Sequence, residues 1–280
     1  MNISYRELCN SITEIYDKGE ARAIVRLVLE TRFGMSYTDI VCDDFSALSA
    51  EDISQLQAVF LRLRSGEPVQ YVLGEAEFCG RMFKVSPGVL IPRPETSELA
   101  MMVCREQSTI ASPQILDVCT GSGCIATTIS LELPSAVVEA WDISSDALQI
   151  AKDNVAKLEA NVSVVCQDAL CPPNDVDKWD AVVSNPPYVL DSERHSMSAH
   201  VLNHEPALAL FVPDANPLLF YDAIARYAQH ALRKGGGLYF EINPLCASMV
   251  VDMLESLCFL NVEIIEDQFG KQRFVKAYKQ

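Results

Sequence analysis

The sequence has little positive charge. Its 280 residues include 22 Lys and Arg against 38 Asp and Glu, which gives a formal net charge of −16, and no run of five or six basic residues occurs. Affinity for free nucleic acid comes largely from neutralising phosphates, so this composition argues against direct nucleic-acid binding. Residues 1–75 alone hold seven basic and twelve acidic residues, a net of −5. A protein partner or a small substrate fits better.

Long apolar segments and paired cysteines are also missing. The chain has no run of about 18 apolar residues and no basic amino-terminal segment followed by an apolar stretch, so we expect a cytoplasmic protein without a membrane span. Its ten cysteines contain no C-x-x-C pair, which indicates reduced thiols. Cys119 with Cys124, and Cys166 with Cys171, are the nearest pairs, but we expect no functional disulfide from them.

Changes in apolar spacing divide the chain into three parts. Helical spacing predicts a small bundle over residues 1–74, with Gly34 and Gly66 ending two helices and Ser49 with Asp52 capping the start of one. Alternation after Gly80 predicts a β-hairpin linker over 75–94. The third part covers 95–280.

In residues 95–280, strand and helix patterns alternate, which predicts a parallel sheet with helices on both faces. The sequence then ends in two consecutive strand-like runs, so we expect an antiparallel hairpin at the end of the sheet. The fold class predicted is therefore α/β, with a Rossmann-like sheet preceded by a small all-α domain. The predicted strands are 115–118, 137–141, 162–166, 179–184, 238–242, 262–265 and 274–278.

A glycine-containing loop follows the first of these parallel strands. Gly121 and Gly123 let backbone approach a ligand at the start of the next helix, although a tight turn without a ligand would also use them. Ala126 stands where a dinucleotide-binding loop would have its third glycine. Pyrophosphate binding is therefore less favoured.

Acidic residues end the next two strands. Asp142 lies 21 residues after Gly121, where nucleoside-binding folds use a carboxylate to accept from ribose hydroxyls. The alternative, a helix cap, is weaker because Ser144 and Ser145 follow as better candidates. Asp168 is placed to accept from an adenine amino group. Taken alone, it fits a role without a ligand equally well.

The fourth strand is followed by Asn185-Pro186-Pro187-Tyr188. The Asn185 side-chain oxygen and the carbonyl of Pro186 can together accept from a planar NH2 group, while the Tyr188 ring covers its flat face. Proline has no N–H to compete and fixes its own φ, which stiffens the segment. A purely structural turn is the alternative.

Together these strand ends predict S-adenosylmethionine as cofactor and methyl transfer to nitrogen, because a nucleoside site without pyrophosphate binding lies beside an NH2 site. Two other functions remain open: methylation of an exocyclic amine of adenine or guanine in nucleic acid, and a silent module that only binds the cofactor. We expect no metal site. His200 and His204 are four residues apart, but neither His195 nor an acidic residue completes a ligand set.

Several further stretches make the chain resemble the release factor glutamine methyltransferases, the PrmC/HemK family of class I methyltransferases, over essentially its whole length. They are Gly66-Glu67-Pro68-Val69-Gln70-Tyr71-Val72-Leu73-Gly74, Leu90-Ile91-Pro92-Arg93-Pro94-Glu95-Thr96 and His204-Glu205-Pro206-Ala207-Leu208-Ala209-Leu210. Departures from the family pattern include Cys119 in place of glycine, Ser97 in place of an acid, and Asn243 in place of the glycine that commonly follows Glu-Ile.

The resemblance implies methylation of the side-chain amide nitrogen (N5) of the glutamine in the Gly-Gly-Gln loop of class I peptide-chain release factors. It implies that the helical domain recognises the release factor, and that Asn185 to Tyr188 hold the glutamine. It also implies which residues surround the cofactor: Cys119, Thr120, Gly121, Ser122, Gly123, Asp142, Asp168, Ala169 and Asn185.

Overall fold

The computed structural model describes residues 4–280. Within them, the helices are α1 (Tyr5–Asn10), α2 (Lys18–Phe33), α3 (Tyr37–Val41), α4 (Ala50–Arg64), α5 (Val69–Leu73), α6 (Pro94–Gln107), α7 (Cys124–Glu132), α8 (Ser145–Lys157), α9 (Ala199–His204), α10 (Ala207–Leu210), α11 (Leu219–Ala231) and α12 (Ala247–Ser256). The strands are β1 (Glu75–Phe78), β2 (Arg81–Lys84), β3 (Gln114–Val118), β4 (Val137–Asp142), β5 (Val162–Cys166), β6 (Trp179–Ser184), β7 (Val189–Leu190), β8 (Phe211–Val212), β9 (Leu232–Glu241), β10 (Leu260–Glu266) and β11 (Gln272–Tyr278).

The described chain forms two compact units. The helical unit contains the residues up to Glu75 together with Ser198–His204, and the α/β unit contains Ala76–Met197 and Glu205–Gln280. Among residues 4–280, no helix combines the length and the apolar character that a bilayer crossing requires.

Local signals set the helix ends of the helical unit. Ser49 accepts from the Asp52 backbone while the Asp52 carboxylate accepts from Ser49, so the two residues form a capping box at the start of α4. Gly34 ends α2 with a φ of +63°, which glycine adopts without strain. Helix α9 joins this unit because His200 stacks on Tyr16, with ring centroids 4.8 Å apart.

The α/β unit contains the predicted sheet. Strands β5, β4, β3, β6 and β9 lie side by side and pair in parallel, and β11 pairs antiparallel with both β9 and β10. The predicted Rossmann-like fold with an antiparallel carboxyl-terminal hairpin is confirmed. Strand β11 inserts between β9 and β10, and β9 begins at Leu232, six residues before the predicted start at Leu238.

Alternate residues of the central strands fill two cores, one on each face of the sheet. Leu116 and Val182 belong to the core that contains residues of α11 and α12, whereas Ile115 and Val183 belong to the core that contains residues of α6 and α7. Each face is therefore covered by helices, which explains why these strands are apolar at nearly every position.

Gly123, which precedes α7, packs against α8. Its φ is +77°, and a Cβ atom there would lie 3.1 Å from the Cβ of Ala151. Gly121 also has a positive φ, +56°, but a Cβ atom there would meet nothing within 4 Å.

We therefore expect Gly123→Ala to lower the free energy of unfolding more than Gly121→Ala does. Both substitutions add left-handed strain of roughly 1–2 kcal/mol, and only Gly123→Ala adds a collision costing roughly another 1 kcal/mol or more. Denaturant unfolding of the two variants measures the difference. Equal losses would contradict the packing role of Gly123.

Candidate active site

A pocket lies in the α/β unit at the carboxyl ends of β3 to β6. The sheet register pairs Val118 with both Trp141 and Ser184, so Cys119, Asp142 and Asn185 follow at the same level of three neighbouring strands. The pocket encloses about 960 Å³ of space, part of it open to solvent. Ligand sites in parallel sheets are expected at this edge.

Most of the predicted site residues line this one pocket. The residues that do so are Cys119, Thr120, Gly121, Ser122, Asp142, Asp168, Ala169, Asn185 and Pro187. Gly123, Pro186 and Tyr188 are not among the lining residues. Gly123 instead sets the approach of α7 to α8. The functional assignments of all twelve predicted site residues remain predictions.

The loop after β3 is held by backbone hydrogen bonds. The Thr120 N–H donates to the Trp141 carbonyl at 2.9 Å, and the Gly121 N–H donates to Asp142 Oδ2 at 2.9 Å. Cys119 has a φ of +62°, a left-handed conformation that glycine adopts more easily. This explains why the family pattern has glycine there. Burial, with the charges of Asp142 and Asp117, raises the pKa of the Cys119 thiol, so it remains protonated.

Asp142 closes the turn between β4 and α8. Its Oδ1 accepts from the Ser144 N–H at 2.9 Å, while Ser144 itself caps α8 by accepting from Ala147. Asp142 is thus not the cap of this helix. Each of its carboxylate oxygens accepts one of the hydrogen bonds described and has a second lone pair for a ligand. Burial raises the pKa of Asp142 above its ordinary value, and the backbone donors offset part of that rise.

Asp168 and Ala169 follow β5 at the next strand end. Asp168 Oδ1 accepts from the Leu170 N–H at 2.8 Å, and this short turn brings both Asp168 and Ala169 to the pocket wall. The predicted contact between Asp168 and an adenine amino group is compatible with this position and remains a prediction.

Asn185 follows β6 and faces the pocket with its amide group oriented by a neighbour. Its Nδ2 donates to Thr96 Oγ1 at 3.3 Å, and Thr96 Oγ1 donates to Glu241 Oε2 at 2.6 Å. The amide nitrogen therefore points at Thr96. The side-chain oxygen of Asn185 is the atom left to accept from a ligand, and its predicted contact with a substrate NH2 group remains a prediction.

Tyr188 is fixed at the other end of the four-residue segment. Its hydroxyl donates to Glu241 Oε1 at 3.0 Å, and its ring packs against the apolar core. Burial and the Glu241 charge raise the pKa of Tyr188, so its hydroxyl stays protonated. Asn243 adds a further contact by donating to the Tyr188 carbonyl at 3.2 Å and to Glu193 at 2.7 Å.

Two segments that carry the family resemblance also form pocket wall, although sequence reasoning gave them no role in the site. Arg93 lines the pocket and pairs with Glu205, which is buried and also accepts from the Ile91 N–H at 3.2 Å. This pair joins the segment before α6 to the segment before α10. The dense family motifs in both segments were the signal that could have identified them.

The histidines and cysteines are not placed as reactive clusters. His200 lies in the helical unit, 2.7 Å from the Gly66 carbonyl, and each of the ten cysteines is a free thiol. Within residues 4–280, no group of three or more His, Cys, Asp or Glu side chains is arranged to hold a metal ion.

Comparison with known proteins gives matches over both units. Residues 96–211 match the methyltransferase small domain family, and residues 8–74 match the PrmC N-terminal domain family. The release factor glutamine methyltransferase of Bacteroides thetaiotaomicron is 44% identical over 95% of this chain and 96% of its own length. The chain belongs to the release factor glutamine methyltransferase family. The proteins of that name from Flavobacterium psychrophilum and Chlorobaculum tepidum are 36% and 37% identical, over 98% and 89% of this chain and 98% and 87% of their own lengths.

Membership of the release factor glutamine methyltransferases confirms the predicted enzyme class and its cofactor, S-adenosylmethionine. The pocket residues fit this group. Open space at Gly121 lets backbone approach the ligand, carboxylates stand at two strand ends, and Ile143, Leu208 and Phe220 supply apolar wall for a base.

Asp117, near the end of β3, binds the loop that follows this strand. It is fully buried; its Oδ2 accepts from Thr120 Oγ1 at 2.5 Å and from the Ala126 N–H at 3.1 Å, while its Oδ1 has no hydrogen-bond partner among the described residues. Burial, together with the charge of Asp142, raises the pKa of Asp117 to about 7. The native protein therefore binds this proton more tightly than the unfolded chain does.

We expect this carboxyl group to make the protein less stable as the pH rises from about 4, near the pKa of an unperturbed Asp, to about 7. Its contribution to the slope is at most about 1.4 kcal/mol per pH unit, and Asp117→Asn should remove it. Denaturant unfolding across this pH range measures the slope. Asp252→Asn, which changes an exposed carboxylate, is the control. An unchanged slope in Asp117→Asn would contradict the shifted pKa.

Proposed function

We propose that this chain transfers a methyl group from S-adenosylmethionine to the side-chain amide nitrogen (N5) of the glutamine in the Gly-Gly-Gln motif of class I peptide-chain release factors. The names of its relatives support the release factor as substrate. The observation that carries the proposal is the orientation of Asn185, whose amide nitrogen is bound by Thr96 while its oxygen is left for a ligand. An acceptor in this position suits a substrate NH2 group.

Bound S-adenosylmethionine supplies an electrophilic methyl group on a positively charged sulfur. The protein residues have to orient a poor nucleophile, because the lone pair of an amide nitrogen is delocalised into its carbonyl. The Asn185 side-chain oxygen and the Pro186 carbonyl would accept from the two N–H groups of the glutamine amide. Positive charge that develops on the nitrogen in the transition state is then stabilised by oriented oxygen dipoles.

Proton removal needs no dedicated side-chain base in this mechanism, since the nitrogen becomes strongly acidic once it carries the methyl group. The raised pKa values of Cys119 and Tyr188 fit this view, because neither group is available as an anion. Stacking of the Tyr188 ring on the glutamine amide remains a prediction. Its bond to Glu241 supports an additional role in holding the segment rigid.

We further propose that residues 1–74 recognise the release factor, that 75–94 form a linker, and that 95–280 form the methyltransferase domain. The match of residues 8–74 to the PrmC N-terminal domain supports the first of these roles. The helical unit also exposes large apolar side chains on α3 and α4, including Tyr37, Val41 and Leu61, which suit contact with a protein.

The alternative substrate, an exocyclic amine of a nucleic-acid base, is not favoured. The relatives are named for release factors, and the net charge of −16 opposes binding to phosphates. Mass spectrometry of the Gly-Gly-Gln peptide from a purified release factor, after incubation with the enzyme and S-adenosylmethionine, should show one added methyl group on glutamine. Methyl transfer to nucleic acid in place of the release factor would reject the proposal.

Asn185→Ala should lower kcat by about a hundredfold or more and leave the affinity for S-adenosylmethionine within about twofold, because the lost acceptor acts mainly in the transition state. Initial rates with a release factor and equilibrium binding of the cofactor measure the two effects. Asn174→Ala, which changes an exposed asparagine between β5 and β6, is the matched control. Equal losses in kcat and cofactor affinity would reduce Asn185 to a binding role.

A further inference from the structure

A buried hydrogen-bond chain lies behind Asn185, and sequence reasoning gave two of its members, Thr96 and Glu241, no function. Thr96 is in the first turn of α6 and Glu241 ends β9; their exposed fractions are 3% and 2%. Thr96 links Asn185 Nδ2 to Glu241 Oε2, and the other oxygen of Glu241 accepts from Tyr188. One carboxylate thus holds both ends of the Asn185-Pro186-Pro187-Tyr188 segment.

The direction of the hydrogen bonds in this chain follows from the number of protons available. A carboxylate only accepts, and a threonine hydroxyl has one proton to donate. Because Thr96 gives that proton to Glu241, its oxygen can only accept from Asn185. The NH2 group of Asn185 must therefore face Thr96, since the reverse orientation would place two acceptor oxygens against each other.

The ionised form of Glu241 is supported by its surroundings. Burial raises the pKa of Glu241, and the hydroxyl groups of Thr96 and Tyr188 together with the charge of Arg273 offset part of that rise. Two hydroxyl donors at 2.6 and 3.0 Å are the partners that a buried carboxylate requires.

We propose that Thr96 and Glu241 are positioning residues that fix the orientation of the Asn185 amide, so that its oxygen rather than its NH2 group meets the substrate. This inference rests on the proposed function, in which that oxygen accepts from the glutamine NH2. If the Asn185 amide were flipped, its NH2 group would face the NH2 group of the glutamine, and two hydrogen-bond donors would meet. Orientation of Asn185 thus decides whether the site can hold an amide nitrogen at all.

Thr96→Val keeps the shape of the side chain and removes the hydroxyl. We expect kcat to fall about tenfold, the scale of one hydrogen bond that fixes a reacting group, with cofactor affinity within about twofold of wild type. Thr96→Ser restores a hydroxyl and should remain within about threefold of wild-type kcat. Thr127→Val is the matched control, because Thr127 is a buried threonine of α7 whose hydroxyl has no partner among the described residues.

A double-variant measurement separates positioning from general destabilisation. If Thr96 acts through Asn185, the Thr96→Val substitution should change kcat by less than about twofold when Asn185 is already alanine. A full tenfold loss in the Asn185→Ala background would overturn the proposal, as would a loss in Thr96→Ser equal to that in Thr96→Val.

The orientation can also be observed without any substrate. The side-chain NH2 resonances of Asn185, assigned by their disappearance in Asn185→Ala, should include one proton that exchanges with water more slowly than those of exposed Asn174. This protection should be lost in Thr96→Val. Equally fast exchange in wild type would overturn the inference, even if Thr96→Val failed to fold. Absence of methyl transfer by wild type would instead reject the proposed function, since the resonances report orientation alone.

Discussion

The parallel register of β3, β6 and β9 is the constraint on which the site depends. Ser184 pairs with Val118 on one side and with Phe240 on the other, so the residues that follow, Cys119, Asn185 and Glu241, stand at one level. These three positions begin the loop after β3, carry the amide oxygen that we propose accepts from the substrate, and provide the buried carboxylate that binds Thr96. A one-residue slip of β6 would turn Asn185 to the opposite face of the sheet.

Two buried carboxyl groups near this edge of the sheet differ in the groups that surround them. Asp117 precedes the loop in a fully buried position, and burial together with the nearby Asp142 charge raises its pKa to about 7. Glu241 is equally buried but receives two hydroxyl protons and lies near Arg273, which favours its charged form. A charged acceptor can order the hydroxyl groups around it, which a neutral carboxyl group does less strictly.

Local sequence signals predicted the elements that depend on neighbours along the chain. The Ser49 and Asp52 capping box and the left-handed Gly34 need only adjacent residues, and Asn185 could be placed because an apolar strand precedes it directly. The beginning of β9 was missed because Gly235, Gly236 and Gly237 are weak strand formers. Pairing with β6 and β11 is what makes these residues part of the strand.

The residues behind Asn185 could not be predicted in the same way. Thr96, Asn185 and Glu241 are separated by 89 and 56 positions along the chain, and their contact follows from the order of strands in the sheet and the helix packed on it. Apolar periodicity predicts that a strand exists, but it does not give the neighbour beside which that strand lies. The family resemblance implies the order of the strands, but it does not imply which of the Thr96, Asn185 and Glu241 atoms donate and which accept.

Two departures from the family pattern bear on the rigidity of this site in opposite ways. Cys119 takes a left-handed conformation that glycine would adopt without strain, so it places a conformational cost in the loop after β3. Asn243, at a position where the family pattern has glycine, donates to the Tyr188 carbonyl and to Glu193, so it adds side-chain contacts that glycine lacks. Thr96 thus holds Asn185 at one end of the segment, and Glu241 holds the Tyr188 hydroxyl at the other. Asn243 binds the backbone carbonyl of Tyr188. In the proposed mechanism, the Asn185 and Pro186 oxygens have to meet a weak nucleophile in one geometry. Each of these contacts favours that geometry, because motion lost before binding does not have to be lost in the transition state.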